Sequence, residues 1–156
     1  MLALEPITRR KRGLTAMSAL AQNDFNSATL EAAEIIITYL KSIDYNPTYK
    51  EVSGRERISR NVAAMYAIET FEQVADTVDW KALYQRHWTA DADGKHRGSV
   101  TITYSHVDMI QRIGKIIDQR RGSYNMPRFK DKDGYNQRLI IGLALIYTAD
   151  VLRGQG

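Results

Sequence analysis

The residue types that most often carry chemistry are few in this sequence, and their spacing limits what they can do. His87, His96 and His106 flank a stretch holding Asp91 and Asp93, the mixture from which metal sites are built. Their separations of nine and ten residues fit no ligand pattern, and Asp91-Ala92-Asp93-Gly94 lacks the later oxygen ligands of a calcium loop. No metal and no cofactor is therefore expected, and Asp93-Gly94 reads as a hairpin turn. Ser105, His106 and Asp108 have the types of a nucleophile, a base and an orienting acid, but neighbours on one helix face apart, so these three cannot form a triad. There is no cysteine, no glycine-rich phosphate loop and no G-x-S-x-G elbow. Glu69, Glu72, Asp76 and Asp79 recur at steps of three and four, as a solvent-facing stripe does opposite Ile68, Phe71 and Ala75. The expectation is a protein that is not an enzyme.

Polar residues suited to reading a surface lie in residues 48–66. Pro47-Thr48 opens a first helix, Val52 is apolar, and Ser53 is small where two helices would meet. Ile58-Ser59 leads into a second helix that Ser59 can cap. The segment resembles, in part, the helix-turn-helix of DNA-binding proteins. That resemblance implies a recognition helix beginning Arg60-Asn61, residue types that pair with guanine and adenine edges, with Lys50, Arg55 and Arg57 on the flanking phosphates. It departs from the pattern at Arg57, where a glycine usually makes the turn, and Gly54 falls three residues too early. Arg112 and Lys115 line a second basic surface together with Gln119, while Arg120 and Arg121 suit the negative end of the same helix. Tyr124, Arg128, Phe129, Lys130 and Lys132 have the composition of single-strand stacking surfaces, offset by Asp131 and Asp133.

The distribution of charge narrows this further. The net charge is +4 and the pI about 9.3. Arg9, Arg10, Lys11 and Arg12 against Glu5 give residues 1–13 a surplus of three, leaving one for residues 14–156. The expected organisation is a basic, flexible arm over residues 1–13 on a single, nearly neutral helical domain over residues 14–156. Such an arm attracts phosphates or an acidic protein through the same Coulomb term. The apolar run at residues 139–147 is far short of the ~20 residues needed to span a bilayer, and residues 14–21 make a poor signal core. With no cysteine, the expected setting is cytoplasmic with no membrane partner.

The elements that must position these residues are mostly helices. Ala33, Ile36, Ile37, Leu40 and Ile43 mark an amphipathic helix starting at Ser27 and stopped before Pro47. Ala64, Ile68, Phe71, Ala75 and Val78 mark another, interrupted near Asp76, after which Asp79 caps a helix bearing Trp80, Leu83, Tyr84 and Trp88. Residues 99–104 alternate like a strand. Ser105 and Asp108 form a capping box for a helix whose buried face carries Val107, Ile110, Ile113 and Ile117 and which Gly122 closes. A polar loop spans residues 123–135, and a last helix, apolar nearly all round, runs from about 136 to 152. The predicted fold is mainly α: a compact bundle of about five helices around a central C-terminal apolar helix, with one short β-strand or hairpin near residues 88–104.

Two functions fit this reading. One is a small DNA-binding regulator, DNA being preferred to RNA, that reads a duplex with residues 48–66 and dimerises on paired half-sites. The other is a helical assembly or adaptor subunit, of a complex or a viral particle, whose arm docks on an acidic partner or nucleic acid. Trp80, Tyr84 and Trp88 are then the expected anchors of a homo-oligomeric interface, because large aromatics concentrate binding energy.

Overall fold

Hydrophobic periodicity becomes five helices in the computed structural model, which describes residues 24–47, 58–91, 96–132 and 134–155. Residues 1–13, Lys50, Arg55, Arg57 and the Asp93-Gly94 turn lie outside them. The chain order is β1 (Asp24–Asn26), α1 (Ser27–Ser42), α2 (Arg60–Glu72), α3 (Trp80–Asp91), β2 (His96–Ser99), α4 (Tyr104–Arg121), β3 (Lys130–Asp131), β4 (Gly134–Tyr135) and α5 (Gln137–Gln155).

The centre is α5, as its all-round apolar sequence predicts. Leu139, Ile140, Ile141, Leu143, Ala144, Leu145 and Ile146 are all buried, and α1, α2, α3 and α4 all pack on this helix. Asn136 starts it, its Oδ1 accepting the Leu139 N–H at 3.1 Å. Among the described residues no helix is long and apolar enough to cross a membrane.

The helix ends show which local signals decide. α1 does not stop because of Pro47. Asp44 takes a left-handed φ of 53°, and the Tyr45 N–H turns back onto the Leu40 carbonyl at 3.0 Å while the Asp44 N–H reaches that of Lys41. This is the Schellman closure usually given to glycine. Ser59 and Asp79 cap α2 and α3 as expected, accepting the N–H groups of Val62 and Ala82. Between those helices Arg120 reaches across from α4 and donates to the Ala75 and Val78 carbonyls, both at 2.8 Å, tying the turn after α2 to α4. α4 begins two residues before the predicted box: Thr103, not Ser105, accepts the His106 N–H, and Ser105 sits in the first turn. Gly122, at φ 57° and ψ −118°, opens a tight turn closed by the Tyr124 N–H on the Arg121 carbonyl, a conformation open to glycine.

The strand near residue 100 finds a distant partner. β2 pairs antiparallel with β1, roughly seventy residues earlier, with Phe25 opposite Arg97 and Asn26 opposite His96. Beyond β2 the alternation read from the sequence persists, with Val100 and Ile102 buried and Thr101 and Thr103 half-exposed. A second short pair, β3 and β4, lies in the stretch expected to be loop; Phe129 beside it is buried and belongs to the core.

Asp118 fastens this pair to α4. Its carboxylate accepts from Tyr135 Oη at 2.9 Å, Arg121 Nε at 2.6 Å and Lys130 Nζ at 3.3 Å. Burial pushes its pKa up, but these three hydrogen bonds outweigh burial and hold it below the usual carboxylate range. A carboxyl depressed on folding stabilises above its unfolded pKa of about 3.9, and that contribution is lost as pH falls through the lower folded value. Asp118→Asn should therefore destabilise at pH 6 by about 1–2 kcal/mol. The difference from wild type should shrink as the pH approaches 3, which urea unfolding at the two pH values would measure.

Candidate functional site

The start of α2 is where the sequence places DNA-reading side chains. Arg60 lies there half-exposed, its Nε 3.6 Å from Glu34 of α1. Asn61 is turned toward the chain before α4, where its Oδ1 accepts the Thr101 N–H at 2.9 Å. Past this first turn Val62, Ala63, Ala64, Met65, Ala67, Ile68 and Phe71 are buried, and no residue of α2 is fully exposed. α2 packs on α5, α4 and α1. A helix entering a major groove about 12 Å wide has to present a free face along its length; on α2 the residues left partly open are Arg60, Asn61, Tyr66, Glu69, Thr70 and Glu72, each half-exposed.

Other basic residues are engaged by neighbouring groups at the surface of the fold. Arg112 Nε bonds Glu72 at 2.6 Å, Arg121 adds the Tyr124 carbonyl to Asp118, and Arg86 pairs with Asp150. Arg153 bonds Asp150 at 3.2 Å. Lys81 Nζ lies 4.5 Å from the Tyr124 ring centroid, on the face a stacking base would need. Lys115 is exposed. Of the proposed interface aromatics, Trp80 and Tyr84 are 6% and 5% exposed, Trp80 packing edge-on against Tyr124 and Tyr84 donating to the Pro127 carbonyl. Their apolar area is spent within the chain, so they do not anchor a surface. The Trp88 side chain lies outside the described residues.

The fold assembles one polar array that the sequence reading passed over. His106, 3% exposed, has Nε2 2.7 Å from Glu69 Oε2 and Nδ1 2.6 Å from Thr103 Oγ1. Thr103 Oγ1 is in turn 2.9 Å from the exposed Ser105 Oγ. Thr103 and His106 meet because they are the cap and third residue of α4, a spacing legible in the sequence. Glu69 comes from α2, 37 residues away, and no local signal points to it. The remaining histidines go elsewhere: His87 is buried against Gly142 of α5, and His96 belongs to β2. Among the described residues no group of three His, Asp or Glu is placed to hold a metal.

A shallow cleft of about 400 Å³ separates α3 from α5, with Val78, Leu83, Tyr147 and Val151 along it and the Arg86–Asp150 pair at its rim. Compared with known proteins, the chain matches no family, no curated protein and no solved structure.

Proposed function

We propose that the chain is a non-enzymatic helical assembly or adaptor subunit that docks on an anionic partner, nucleic acid or an acidic protein, through Arg9, Arg10, Lys11 and Arg12. The observation that carries this reading is the pairing, within the fold, of many cations among the described residues. Arg60, Arg86, Arg112, Arg121, Lys130 and Arg153 each face a carboxylate, and Arg120 is committed to backbone carbonyls. Surface pairs of this kind add little stability, but each removes a positive charge from the field that a polyanion would meet. Residues 1–13 carry most of the remaining surplus. The burial of α2 favours this over the sequence-reading regulator, since Arg60 and Asn61 already have partners.

The two readings separate in a binding experiment on duplexes of different sequence. Replacing Arg9, Arg10, Lys11 and Arg12 by Gln should weaken binding to every duplex alike, at least about tenfold at low salt, because counterion release ignores sequence. Arg60→Ala should leave the ranking of duplexes unchanged. Loss of discrimination in Arg60→Ala would restore the regulator reading. An acidic peptide measured in parallel distinguishes the protein partner from nucleic acid. Self-association belongs to the same reading and is checked by light scattering.

A further inference from the structure

We draw no further inference here: the strongest candidate, the shallow apolar cleft between α3 and α5 lined by Val78, Leu83, Tyr147 and Val151, carries none, because Arg86 and Asp150 at its rim are paired with each other and nothing in the structure shows what covers it.

Discussion

Gly142→Ala is expected to destabilise the protein by about 2–3 kcal/mol, lowering the melting temperature by roughly 5–10 °C. Alanine is ordinarily the better helix residue, by about 1 kcal/mol, so the sign of this effect depends on what the methyl group meets. At position 142 it falls closer than 3 Å to Cδ2 and Nε2 of His87, with Thr29 Cγ2 at 3.2 Å on the other side. The His87 ring is buried between α3 and α5 and cannot swing into solvent, so α3 must move off the central helix. Gly154, in the same helix, has nothing within 4 Å, and Gly154→Ala serves as the control, expected neutral or slightly stabilising. Thermal unfolding of the two variants decides the matter. A Gly142→Ala protein as stable as wild type would mean that His87 does not pack where the structure puts it.

Gly114→Ala should cost a similar amount, about 1–3 kcal/mol, but with a local signature. The added methyl would lie 2.6 Å from Tyr135 Cδ2 and 2.7 Å from its Cβ. Turning the ring cannot clear a clash with Cβ, so the backbone of β4 has to lift from α4. Doing so breaks the Tyr135 N–H bond to Gln111 Oε1, at 3.1 Å, and the Tyr135 hydroxyl bond to Asp118, at 2.9 Å. The Tyr135 amide should therefore exchange with solvent much faster than in wild type, while amides in the middle of α5 change only with global stability. Equal exchange of the Tyr135 amide in both proteins would contradict the packing described.

These two positions also mark where sequence reasoning stops. The periods of three and four residues that give α1, α3, α4 and α5 are local properties, as are the Ser59 and Asp79 caps, and they were legible. Close approach of a ring to a glycine depends on which helices meet, and nothing near Gly142 in the chain announces His87. α2 is the instructive case. Its stripe of Ala64, Ile68 and Phe71 suggests one buried face and leaves Arg60 and Asn61 free to read DNA. Ala63, Met65 and Ala67 fill the other faces, and small or flexible apolar residues all round a helix mean partners on several sides. The Glu69 to His106 contact escaped for the same reason, since only Thr103 and His106 are near in sequence. The alternation at residues 99–104 pointed to the right neighbourhood, but the paired strand is His96–Ser99, and its partner β1 is too short and too distant to be inferred.

The proposal that anion binding resides in Arg9, Arg10, Lys11 and Arg12, while many of the described cations of the body are paired within the fold, is tested most directly by the salt dependence of duplex DNA binding. The logarithm of the binding constant falls with the logarithm of salt concentration by about 0.9 for each phosphate neutralised. Replacing these four residues by Gln should flatten that slope by about 3–4, leaving little salt dependence in the folded body. A variant that kept the wild-type slope would locate the phosphate contacts on the helices and contradict the account.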